Sequence, residues 1–204
     1  MQTKLVDKEL QKVILIMIFG YILPALLIFL GLVPFSWRFY LLILATIAIF
    51  AIARLYRVSP IELGLTAQNL GKSLKAITPL TLVCALLMFL YYSIQGPRID
   101  NSAYTWTFYL FFVLVSSPIQ EFLYRGFFFL FSIFRAKLGT WIQILLSSFL
   151  YSFVHLIYQD VPTLLSTFIM GIFWGYHYAK YRNLHSTIVS HSLLGAIAIL
   201  VGLV

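Results

Sequence analysis

The chain has 204 residues, of which 62% are hydrophobic and only 10% charged, and its mean hydropathy is +0.97. No soluble domain of this size can bury that much apolar surface, so the composition leaves an all-α polytopic membrane protein. The net charge of +8 is spread in ones and twos between apolar runs, which suits topology signals and anionic lipid headgroups and argues against a nucleic-acid partner.

Apolar runs of spanning length fall at about 13–33, 37–53, 76–94, 105–131, 140–158, 163–180 and 184–204. They predict about seven transmembrane helices in one bundle, with residues 1–204 forming a single transmembrane domain. The first run is too long for a signal-peptide core and no small-residue cleavage site follows it, so it reads as an uncleaved span. Pro24 and Pro79 lie in or near spans, where neighbouring helices can tolerate them. Ser59-Pro60-Ile61-Glu62 has the pattern of a capping box with Pro at the first helical position and predicts a short interfacial helix. The lone cysteine, Cys84, sits in an apolar run, which leaves no disulfide framework and no Cys-based metal site. Gly171-x-x-x-Gly175 in the sixth run gives a small-residue face for close helix packing.

With the N-terminus in the cytoplasm, Lys4, Lys8, Lys12, Arg54, Arg57, Lys72, Lys75, Arg135, Lys137, Lys180 and Arg182 all fall inside. Arg38 and Arg98 fall outside, and Arg125 lies within a span. That bias predicts an N-in, C-out arrangement. The expected location is a plasma membrane of bacterial type, with lipid as a constant partner.

The fourth run, Thr105 to Phe134, contains the stretch SSPIQEFLYRGFFFLF from Ser116 to Phe131. A charge at mid-bilayer costs at least about 2.5–3.5 kcal/mol on insertion scales, yet Glu121 and Arg125 stand here four residues apart. Glu followed by Arg at i+4 lies on one helix face in the favourable order, so the two can neutralise each other as an ion pair that pins the helix. The same face can instead line a polar cavity. Gln120 is adjacent, and Pro118 precedes it.

His155 and His191 lie in apolar surroundings in the fifth and seventh runs, whereas His177 and His185 flank the loop 180–183 and are expected at the interface. A carboxylate with two imidazoles can take a proton from water and stabilise a developing oxyanion, with or without a zinc ion. If a metal is bound, its ligands would be Glu121, His155 and His191. No H-E-x-x-H or G-x-S-x-G motif is present, which leaves a serine protease a weak alternative.

Three motifs in order are Gln120-Glu121-x-x-x-Arg125-Gly126, Tyr151-x-x-x-His155 and His191-x-x-x-Gly195. They resemble the E-E-x-x-x-R, F-x-x-x-H and H-x-x-x-N marks of the CPBP family, which holds CAAX-processing endopeptidases and bacteriocin-processing and immunity membrane proteins, also described as Abi-like. The resemblance covers about 105–204, and Glu62-Leu63-Gly64-Leu65 adds to it. It implies an intramembrane endopeptidase acting on a membrane-embedded or lipid-modified protein or peptide. Glu121 and His155 would activate water, His191 would serve the oxyanion, and Arg125 would hold Glu121. Three departures stand out: Gln120 replaces the first Glu, Tyr151 replaces Phe, and Gly195 replaces Asn. Gln120 cannot accept a proton, and neighbouring side chains point about 100° apart on an α-helix, so Glu121 can take its place only on a rotated or distorted helix. The alternatives are a non-proteolytic scaffold or immunity protein that keeps the fold, and a small proton-coupled transporter, against which the lack of an internal repeat counts.

Overall fold

The computed structural model describes residues 2–132 and 137–204, with side chains from Lys8 onward. Arg135 and Phe134, and the side chain of Lys4, lie outside the described residues. Seven apolar helices follow in the order that the apolar runs predict. Five are long and apolar enough to cross a membrane: α1 (Lys8–Phe29), α2 (Phe35–Leu55), α3 (Leu70–Gln95), α4 (Trp106–Phe131) and α5 (Thr140–Tyr158). Two more complete the set, α6 (Val161–Tyr181) and the shorter α7 (Leu184–Leu200). There is no strand among the described residues.

The loops sort into two ends, and polar side chains tie each end together. At one end Asn183 Nδ2 donates to the Thr66 carbonyl at 2.9 Å and to Asn69 Oδ1 at 2.8 Å, while the Leu184 N–H reaches the Gly64 carbonyl. At the other end Arg98 makes a two-pronged contact with Asp160 at 2.8 and 2.7 Å. The backbone N–H groups of Arg98 and Ile99 both donate to the Gly202 carbonyl there. The connection at 56–69 corrects one expectation. Glu62 does reach back to the Ser59 N–H at 2.7 Å, as a capping box requires, but the chain makes a single turn over 60–64 and no helix follows. Gly64 ends that turn at φ +80°, and a Cβ there would lie 2.8 Å from the Arg182 carbonyl oxygen.

Two spans are not regular α-helix. α1 has a π-helical turn at Met17–Ile22, just before Pro24, and α4 has two, at Phe112–Ser116 and Phe122–Phe127. A proline lacks the N–H that would close the preceding turn, so a widened turn upstream of it is a natural relief. Pro79 sits inside α3 with no such widened turn before it, so the proline alone does not force one. Carbonyls left loose by a widened turn inside lipid need partners from neighbouring helices. In α4 those partners are Tyr21, whose hydroxyl donates to the Leu123 carbonyl at 2.8 Å, and Ser147, whose hydroxyl donates to the Tyr124 carbonyl at 2.7 Å.

Helices α5 and α6 pack closely at Gly171, where a Cβ would stand 2.9 Å from Ser148 Cα. This is the packing role that the small-residue face suggests. Between α3, α6 and α7 the bundle is held by hydroxyls and one imidazole. Ser73 Oγ lies 2.8 Å from His177 Nε2 and 2.7 Å from Ser186 Oγ, and Thr81 Oγ1 lies 2.8 Å from Ser190 Oγ. His177 is thus buried between helices close to loop 182–183, while His185 is exposed.

Asp160 has two duties. Its carboxylate accepts from the Thr163 N–H at 2.8 Å, capping α6, and it pairs with Arg98. The hydrogen bond from Arg98 holds its carboxyl well below the ordinary value of 3.8. A depressed folded-state pKa stabilises the fold above the ordinary carboxylate range, and that stabilisation is lost as the pH falls through and below it. Asp160→Asn keeps a capping oxygen and loses the ion pair, whereas Asp160→Ala loses both, the cap alone being worth about 1 kcal/mol. Thermal unfolding in detergent at neutral pH should therefore rank wild type above Asn and Asn above Ala. Equal losses in the two variants would mean that the cap contributes nothing.

Candidate functional site

The five residues Ser117–Glu121 lie between the two widened turns of α4 and put neighbouring side chains to different uses. Glu121 is fully buried and turns toward α7, where its Oε1 lies 2.8 Å from His191 Nδ1 and 3.3 Å from Arg125 Nη1. Gln120 turns instead to the wall of a chamber of about 590 Å³, which His155 and His191 also line. Its Nε2 donates to Ser116 Oγ at 2.9 Å, and its Oε1 has no hydrogen-bond partner.

Arg125 is fully buried, and its charge is met from four sides. Glu121 supplies the counter-charge, and the Gly171 carbonyl accepts from Nη2 at 3.2 Å. The rings of Tyr151 and Trp174 face the guanidinium at 4.7 and 5.6 Å from their centroids. Both aromatic faces add electrostatic attraction in a site from which water is excluded. The Glu–Arg pair expected from the i+4 spacing is therefore present, and α6 completes it.

The two histidines have defined tautomers, because their partners can only accept. A backbone carbonyl has no proton to give, so His155 Nδ1, 2.8 Å from the Tyr151 carbonyl oxygen, is the N–H. The Glu121 carboxylate imposes the same state on His191 Nδ1. Each ring thus carries its lone pair on Nε2. That of His191 lies 3.1 Å from the Tyr151 hydroxyl, and Tyr151 packs edge-on against both imidazoles at 4.9 and 5.4 Å. Trp174 stacks on His191 at 4.4 Å.

The fold thus brings Glu121, Arg125 and His191 into direct contact and sets Gln120 and His155 on the same chamber. The partner of Glu121 is His191, and His155 joins through Tyr151. Two aromatics, Tyr151 and Trp174, tie the cluster together. Tyr151 carries a weak signal, as the position where a hydroxyl replaces the Phe of the resembling motif, and Trp174 carries none beyond its place next to Gly175. Gly195 also lines the chamber, and a Cβ there would stand 2.5 Å from Phe112 Cζ, so the Phe112 ring fills the space that a side chain at 195 would need.

The set does not fit a metal. Glu121 Oε1 is committed to Arg125 and His191, and among the described residues no group of three or more His, Cys, Asp or Glu side chains is close enough to hold an ion. Glu121, His155 and His191 do not converge as ligands.

Removing one member of a buried ion pair costs on the order of 3–5 kcal/mol, because the other charge is left bare. Arg125→Ala should therefore lower yield and melting temperature much more than His191→Ala, with Arg125→Lys in between. A normal yield and melting temperature for Arg125→Ala would show that Glu121 does not depend on it.

No curated protein and no solved structure matches the chain. A family model does match, over residues 102–197, and its description is type II CAAX prenyl endopeptidase Rce1-like. Those residues contain the whole cluster, from Phe112 and Gln120 to His191 and Gly195. Over this stretch, a little under half of its length, the chain is similar to the type II CAAX prenyl endopeptidase Rce1-like family, which supports the resemblance to the CPBP family carried by the three motifs.

Proposed function

We propose that the chain hydrolyses a peptide bond in a membrane-embedded or lipid-modified protein or peptide at the deep end of the chamber. One observation carries this reading: two imidazoles, each with its Nδ1 proton tied to an acceptor, present Nε2 lone pairs on a buried chamber wall beside an unpartnered Gln120 oxygen. Water donates one proton to Gln120 Oε1 and the other to His155 Nε2. As its oxygen attacks the scissile carbonyl, His155 takes the proton and later delivers it to the leaving amide nitrogen when the C–N bond breaks. The Tyr151 hydroxyl, poised at His191 Nε2, turns to the carbonyl oxygen as negative charge develops there. Glu121 acts through His191 as a positioning residue, and Arg125 holds Glu121.

This assignment gives Gln120 a holding role and leaves proton transfer to His155. A second reading, a scaffold or immunity protein that has lost catalysis, draws on the absence of a carboxylate at 120 and on the Phe112 ring beside Gly195. Cleavage of a candidate membrane peptide by purified protein separates the two. His155→Ala and Glu121→Gln should each lower the rate by about 10²–10⁴-fold, the contribution of a positioned acid–base group. Gln120→Glu should change it by less than about tenfold, because the added carboxylate lies beside Glu121 with no new cation. A chelator should leave the rate unchanged. Biological function that survives both His155→Ala and Glu121→Gln would establish the scaffold reading.

A further inference from the structure

The two hydrogen bonds of the His191 ring leave one motion open. Nδ1 donates to Glu121 at 2.8 Å and Nε2 accepts from the Tyr151 hydroxyl at 3.1 Å, yet the ring can rock about the line between those nitrogens. Rocking turns the N–H and the lone pair out of line with their partners, and hydrogen bonds weaken steeply as they bend. Trp174 opposes that motion. Its indole lies flat on the imidazole, with centroids 4.4 Å apart and planes 17° apart, whereas Phe112 and Tyr151 meet the ring at 69° and 85°. Rings that meet edge-on bound the position of the imidazole; a flat stack sets its plane.

The plane of the indole is set in turn by a chain of hydrogen bonds whose direction is forced. Trp174 Nε1 can only donate, and it donates to Ser190 Oγ at 3.0 Å. Thr81 Oγ1 commits its single proton to the Ile77 carbonyl at 2.9 Å. The Ser190 hydroxyl must therefore donate to Thr81 across their 2.8 Å contact. Each proton is used once, and the chain ends on the backbone of α3. Trp174, Ser190 and Thr81 are all buried, so water does not compete for any link.

We propose that Trp174 is a positioning residue for His191, tethered to α3 through Ser190 and Thr81, and that this tether sets how squarely Nε2 meets the Tyr151 hydroxyl. The indole also faces Arg125 at 5.6 Å, so a change at Trp174 reaches the ion pair as well. A change at Ser190 or Thr81 leaves the indole in place and tests the tether alone. The inference rests on His191 serving the site proposed above, but its first readout needs no hydrolysis.

The test uses the full chain in detergent with 15N-labelled histidine, the His191 signals being identified by their loss in His191→Ala. Wild type should show one His191 tautomer, protonated at Nδ1. Ser190→Ala and Trp174→Phe should show both tautomers, because a ring free to rock leaves Glu121 part of the time. Thr81→Val should do the same, while Thr81→Ser, which keeps the hydroxyl, should give the wild-type spectrum. A single tautomer in both Ser190→Ala and Trp174→Phe overturns the proposal, even where their melting temperatures fall, since packing alone then explains the loss. Identical spectra from Thr81→Val and Thr81→Ser overturn the tether to α3. With a cleaved membrane peptide, Ser190→Ala should lower kcat by about 10–10²-fold, the scale of a small misplacement at a reacting centre, and leave KM within about twofold. In a His191→Ala background it should lower kcat no further, and an equal loss there would overturn action through His191. The expected spectra with no cleavage of any peptide by wild type would remove the endopeptidase reading alone.

Discussion

A buried Glu–Arg pair inside an apolar bundle is the constraint on which the rest of this structure depends. Two ions can leave water together only where their mutual attraction is joined by further hydrogen bonds and polar surfaces. Here α4 supplies the pair, α6 supplies a carbonyl and an indole face, α5 supplies a phenol face and α7 supplies an imidazole. Four helices are thereby fixed in relative depth and rotation around one guanidinium. The small residue at Gly171 serves the same end, since only a close α5–α6 approach brings its carbonyl and the Tyr151 ring to Arg125 together.

That arrangement makes the catalytic reading a consequence of packing. His191 satisfies one oxygen of Glu121, and in doing so its tautomer is set and its other nitrogen is left to accept from the Tyr151 hydroxyl at the chamber wall. Tyr151 stacks against the guanidinium, and its backbone carbonyl fixes the tautomer of His155. The groups proposed to move protons are the outer layer of the shell that makes a buried ion pair tolerable.

Helix number and order could be read from the apolar runs because lipid demands about 20 apolar residues per span, a requirement written directly into composition. Glu121, Arg125, His155 and His191 were legible for the same reason: polar groups in such runs are rare. Their pairing was not legible. An α-helical reading of α4 says only that Gln120 and Glu121 diverge, and which of them meets the chamber depends on turns whose widening no local signal announces beyond Pro118. That His177 is buried between helices was not legible either, since the hydroxyls around it come from Ser73, 104 positions away, and from Ser186 in α7. The Ser59–Glu62 box formed without its helix, since capping chemistry determines how a turn starts and not whether it continues.

The segment Ser117–Glu121 is in effect a short cylinder with slack at both ends. Moving one residue of slack from one side to the other turns it by about 100°, with the ends of the span unmoved, and trades Gln120 for Glu121 at the chamber wall. Tyr21 and Ser147 are what pin the slack, since each grips a carbonyl of the second loose stretch. The residue that a motif presents to its substrate is therefore decided by two side chains on other helices, one of them about a hundred positions away in α1.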